Sequence, residues 1–128
     1  MFKDTDGNYK LKIAFDYDDT LTEESLFALA RRLIRKGHDV WIITSRTSYK
    51  QYLTYTRIFG IESQAGVLQH ADLLETAHKL GIEENKIIFT DGEDKTEFFQ
   101  KNNFDLLFDD YEIFCNPICE AGGMAVNV

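Results

Sequence analysis

The chain has 128 residues, 44% of them apolar, which suits one domain with a packed core and excludes global disorder. Its net charge of −8 argues against extended contact with a nucleic acid backbone, which needs a basic face, but not against small phosphorylated substrates near a metal ion. It shows neither a basic-then-apolar leader nor an apolar run of membrane-spanning length, so a cytoplasmic protein away from membranes is expected.

Residues 1–10 are polar. Asp4-Thr5-Asp6-Gly7-Asn8 has the start of a calcium loop without its remaining ligands, so a turn or frayed end is expected there, ahead of a core domain over 11–128. Residues 11–16 read as a strand. Residues 23–36 read as a helix with Leu26, Leu29, Ala30 and Leu33 on one face, closed by Gly37 as a left-handed cap. Residues 40–44 read as a buried strand. Helices follow over 48–59 and 70–80, each closed by a glycine, Gly60 and Gly81. Then come a strand over 86–90, a helix over 94–102, a strand over 104–108, a short helix over 111–121 and a strand over 124–128. Pro117 makes the last helix the weakest of the set.

Strands and helices alternate, and most strands are almost wholly apolar. That pattern specifies an α/β fold: one Rossmann-like domain whose parallel sheet of about five strands carries helices on both faces. Cys115 and Cys119 sit four apart with no histidine nearby, as two small residues of a helix rather than a zinc site. His38, His70 and His78 lack metal-ligand spacing, and no glycine-rich phosphate loop occurs.

The chemistry gathers at strand ends. The first strand ends in Asp16-Tyr17-Asp18-Asp19-Thr20, the second in Thr44-Ser45-Arg46, the third leads into Thr90-Asp91-Gly92-Glu93-Asp94-Lys95, and the fourth ends in Asp109-Asp110. Parallel α/β sheets carry their active sites at this carboxyl edge. With 22 acids in 128 residues, one acidic doublet means little; hydroxyl, acid and lysine groups at successive strand ends mean more. Acids as close as Asp16 and Asp18 repel, and need a cation or a shared proton.

In this order the residues resemble the motifs of the haloacid dehalogenase-like phosphohydrolase superfamily. Ile13-Ala14-Phe15-Asp16-Tyr17-Asp18-Asp19-Thr20 matches an apolar strand ending in Asp-x-Asp-x-Thr, and Trp41-Ile42-Ile43-Thr44-Ser45 matches one ending in Thr or Ser. Lys95 matches the lysine that starts the helix before the last motif, and Leu106-Leu107-Phe108-Asp109-Asp110 the strand ending in paired acids. One departure is Asp19, where glycine is commonest. The resemblance implies a Mg²⁺-dependent phosphatase in which Asp16 is nucleophile and metal ligand. Asp18 would give the metal its backbone carbonyl and act as general acid and base. Thr44 would hydrogen-bond a phosphoryl oxygen, and Lys95 would neutralise charge. Asp109 would complete the metal site, with Asp110 beside it. The direct chemistry agrees: a carboxylate attacking an anionic phosphate needs a hard cation to draw off charge.

Arg46 could grip a substrate phosphate or be a solvated loop residue, and Ser45 and Tyr17 lie close enough to touch substrate. Tyr49, Tyr52, Tyr55 and Tyr111 could stack on a nucleobase, pack on the sheet, or form a dimer face; homo-oligomerisation is left open. Lys86 precedes its strand and should lie at the opposite edge from Lys95. A response-regulator receiver would need the lysine after the last acids, and here Asp109-Asp110 follow it. Between Asp16 and Thr44, and between Thr44 and Lys95, the expected elements leave no room for a cap domain, so an open site is expected. The substrate would be a small phosphorylated metabolite or nucleotide. The alternatives are a phosphotransferase, and a module that binds a phosphorylated nucleotide or protein without turnover.

Overall fold

The computed structural model describes residues 1–48 and 70–128. The chain opens with a two-stranded antiparallel hairpin, β1 (Phe2–Lys3) and β2 (Tyr9–Lys10), where a turn or frayed end was expected. Asp4 organises it: its Oδ1 accepts the N–H groups of Asp6 and Asn8, and Gly7 takes φ 81°.

The main sheet has five parallel strands in the order β5-β4-β3-β6-β7. They are β3 (Lys12–Phe15), β4 (Asp39–Thr44), β5 (Ile87–Phe89), β6 (Leu106–Asp109) and β7 (Ala125–Asn127). Helices α1 (Glu24–Arg35), α2 (Ala71–Leu80), α3 (Lys95–Lys101) and α4 (Glu112–Glu120) connect them. The expected strands all appear: β3, β5 and β7 are shortened at both ends, β4 starts one residue earlier, and β6 starts two residues later and ends at Asp109. The expected helix over 48–59, with Gly60, Tyr49, Tyr52 and Tyr55, lies outside the described residues apart from Ser48.

Alternation along each strand splits the core in two. Ile13, Phe15, Val40 and Ile42 face α1 and α2, burying Ala30, Leu73 and Ala77 with them. Ala14, Ile43 and Leu107 face α3 and α4, against Phe99 and Ile118. Phe15 and Phe108, on neighbouring strands, stack at 4.8 Å between ring centroids. A fully buried side chain of this kind contributes roughly 1.5–3 kcal/mol. Gly123 lets the last loop pass close: a Cβ there would come within 2.8 Å of both Ile118 and Phe99.

Gly37 and Gly81 follow α1 and α2 at φ 91° and 77°, the left-handed turn expected of both. Pro117 sits inside α4. It has no N–H to offer the carbonyl of Ile113, four residues earlier. Cys115 is buried and Cys119 exposed on the same helix, both as free thiols. Between β3 and β4 the chain forms one tight turn and α1 and nothing larger. Among the described residues no helix is long and apolar enough to cross a membrane.

The order places β3 at the centre. From it the chain winds outward to β4 and β5, then crosses back to β6 on the other side. The crevice where winding reverses lies at the carboxyl ends of β3 and β6, the usual ligand position in such sheets.

Candidate active site

Asp16 follows β3 directly, and Asp109 ends β6. The pairing of Phe15 with Phe108 sets the two carboxylates side by side across that crevice. Lys95, the first residue of α3, reaches between them. Its Nζ lies 2.9 Å from Asp16 Oδ1 and 2.6 Å from Asp109 Oδ2, with the lysine wholly buried. A cation at a helix N-terminus opposes the helix dipole, so the two acids must hold it there. Asp94 caps the same helix by accepting the N–H of Thr96.

Asp109 has both oxygens engaged, Oδ2 by Lys95 and Oδ1 by the backbone N–H of Tyr111 at 2.9 Å. Thr20 Oγ1 lies 3.2 Å from Asp16 Oδ2 and 3.3 Å from Asp110 Oδ1. One hydroxyl carries one proton, so it cannot donate to both. Oxygens of Asp16, Asp109 and Asp110 lie within 4.8 Å of one another. Burial pushes the Asp16 carboxyl up to about 7; Lys95 opposes this, while Asp109 and Asp110 add to it. Three acids against one lysine, with a carboxylate oxygen short of a donor, fit a hard divalent cation.

The backbone after Asp16 kinks sharply. Asp18 is extended, and Asp19 turns into the left-handed region at φ 58°. That conformation favours glycine, and aspartate is among the residues that tolerate it. The kink carries Asp18 away from the three-acid cluster. Its carboxylate takes Arg46 Nε at 2.9 Å and Nη2 at 2.7 Å. Arg46 forks equally onto Asp72, at 2.9 and 3.0 Å. These acids, Asp72 first, raise the Arg46 pKa further, and Arg46 draws Asp72 down to about 2.

Tyr17 is buried, with the Arg46 guanidinium 4.9 Å from its ring centroid, so one ring face is already covered. Burial raises its hydroxyl pKa, and the negative charge of Asp72 on α2 adds to this. Thr44 is buried at the end of β4, its Oγ1 accepting the N–H of Arg46 at 3.2 Å. The Ser45 carbonyl accepts the N–H of Gly92, and Thr47 Oγ1 donates to Asp91 at 2.6 Å, tying the second strand end to the third. His70 is buried against Phe89, its ring Nε2 on the carbonyl of Thr47. Tyr111 is half exposed and packs its ring edge-on to Phe114. Lys86 pairs with Asp39 at the start of β4, on the opposite edge of the sheet.

Of the residues singled out from sequence, Asp16, Lys95, Asp109 and Asp110 thus converge, and Asp18 and Arg46 form a separate pair beside them. Asp72 was not singled out: it is one acid among 22, distinguished only by where α2 begins. No family model matches the chain, and no curated protein compared with it is similar in sequence.

Proposed function

We propose that the chain is a cytoplasmic Mg²⁺-dependent phosphatase of the haloacid dehalogenase-like type, acting on a small phosphorylated metabolite or nucleotide through a phosphoaspartate on Asp16. The observation that carries this reading is the buried bridge of Lys95 to both Asp16 and Asp109. It sets a charge-compensated carboxylate at the topological switch point.

The cation would be held by Asp16 and Asp110, whose oxygens are the freer, with Asp109 bracing Lys95. When bound, Mg²⁺ supplies charge neutralisation and polarises the phosphoryl oxygens. Asp16 attacks phosphorus; an Asp16 oxygen–phosphorus bond forms as the ester bond breaks, and Asp18, having taken up a proton from solvent, gives it to the leaving oxygen. Water then attacks the same phosphorus, Asp18 takes a proton from it, and the bond to Asp16 breaks to release phosphate. Lys95 offsets negative charge as it grows on the phosphoryl group, and the Thr44 hydroxyl orients it.

A binding module without turnover is the second reading, favoured by the engagement of Asp18 with Arg46. The test is phosphate release from a panel of phosphorylated metabolites and nucleotides with Mg²⁺. Turnover that disappears with chelator and in Asp16→Asn supports the phosphatase. Ligand binding without release by the wild type favours the module.

A further inference from the structure

Among the described residues, Arg46 is a half-buried cation with two anionic partners. Its side chain is 18% exposed, whereas those of Asp18 and Asp72 are 50% and 55% exposed. Both acids meet it in forks, the geometry in which guanidinium binds carboxylate or phosphate best. Among the described residues, two carboxylates share this one cation, and their excess negative charge repels an incoming phosphate unless one carboxylate departs.

The two acids are not equally held. Asp72 lies in the first turn of α2, where the helix dipole favours a carboxylate. Asp18 lies in the kink beside left-handed Asp19, outside any regular helix turn. Among the described residues, Arg46 is the hydrogen-bond partner of its carboxylate. Asp18 is therefore the partner that can be exchanged.

Resting on the phosphatase reading above, we propose that Arg46 is an anion clamp that trades Asp18 for the substrate phosphoryl group while Asp72 stays as its anchor. The phosphoryl oxygens take the fork that Asp18 leaves. Asp18 becomes free to turn toward the leaving group only once substrate is bound. The same contact thus holds the proton-transfer residue aside in the empty protein and makes Asp72 a positioning residue for Arg46.

The test uses the whole chain with Mg²⁺ and inorganic phosphate, followed by ¹H–¹⁵N spectra; the Arg46 Nε–H signal is assigned by its loss in Arg46→Lys. Phosphate should shift that signal and the amides of Asp18 and Asp19, and leave the Leu73 amide in place. Asp18→Asn should tighten phosphate binding about three- to fivefold, the scale of losing one partly exposed ion pair. That gain should vanish in an Arg46→Ala background. Shifts at Thr44 and Lys95 with an unmoved Arg46 signal would overturn the exchange and leave the phosphatase reading standing. An equal gain with and without Arg46 would do the same, since it would reflect only the removal of a nearby charge. If phosphate moves none of these signals, the site does not take phosphate, and both the exchange and the reading beneath it fail.

Discussion

Lys95 and Asp109 are joined at 2.6 Å, and neither side chain is exposed to solvent. Taking both charges out of water costs several kcal/mol per ion. A structural core gains little from such a pair, since apolar residues of similar volume fill the space as well. The pair is understandable where a carboxylate must be kept next to a cation, and Asp16 shares the same ammonium at 2.9 Å.

Replacing Lys95 with alanine should therefore harm both fold and chemistry. It leaves Asp16 and Asp109 buried beside each other without their cation, and should destabilise the metal-free protein by about 3–5 kcal/mol near neutral pH. Phosphatase turnover should fall by roughly 10²-fold or more. Lys86→Ala, which breaks a half-exposed pair at the other edge, should cost at most about 1 kcal/mol and leave turnover unchanged. Urea melts and steady-state rates on the two variants check this, and the opposite ranking contradicts it.

Asp109 and Asp110 should separate by function. Asp109→Asn weakens the partner of Lys95 and should lower stability without Mg²⁺. Asp110 is half-buried, so Asp110→Asn should leave stability within about 0.5 kcal/mol. Its effect should fall on the metal, with Mg²⁺ affinity dropping by roughly tenfold or more for the loss of a ligand. Calorimetric Mg²⁺ titrations beside thermal melts would show the split; equal effects of both variants on both readouts would remove it.

Much of this was legible in the chain. Apolar runs ending in Asp16, Thr44 and Asp109 gave the strands and the edge they share, because alternating faces and parallel order are written in side-chain type. The sheet order brought Lys95 to Asp16 over 79 positions, as the order of the polar strand ends implied. The Asp18–Arg46–Asp72 arrangement was not legible. It depends on a left-handed residue at Asp19 and on where α2 starts, and neither leaves a periodic signal. The N-terminal hairpin was missed because its strands are two residues each and are specified by Asp4 and Gly7 rather than by alternation.

The raised Asp16 pKa makes stability depend on pH and metal together. In the unfolded chain this carboxyl ionises near 3.8, and in the folded chain near 7. Between those values the folded chain keeps a proton that the unfolded chain has lost. The stability contributed by Asp16 is thus full below the lower value and is lost as pH rises through the upper one. Mg²⁺ competes for the ionised form, so its stabilisation should grow with pH. Saturating Mg²⁺ should raise Tm more at about pH 8 than at about pH 5; an equal rise at both would contradict the assignment of Asp16 to the cation.

The account turns on a covalent phosphate at Asp16, and trapping it is the most direct measurement. In Asp18→Asn, a substrate with a good leaving group needs no proton, so Asp16 should still be phosphorylated while hydrolysis of the intermediate slows. The variant, incubated with such an ester and Mg²⁺, should gain one phosphoryl group by intact mass. Peptide mapping should place it on Asp16, hydroxylamine should remove it, and Asp16→Asn introduced as well should abolish it. A protein that loses turnover for good and poor leaving groups alike, with no adduct at Asp16, would contradict the two-step mechanism.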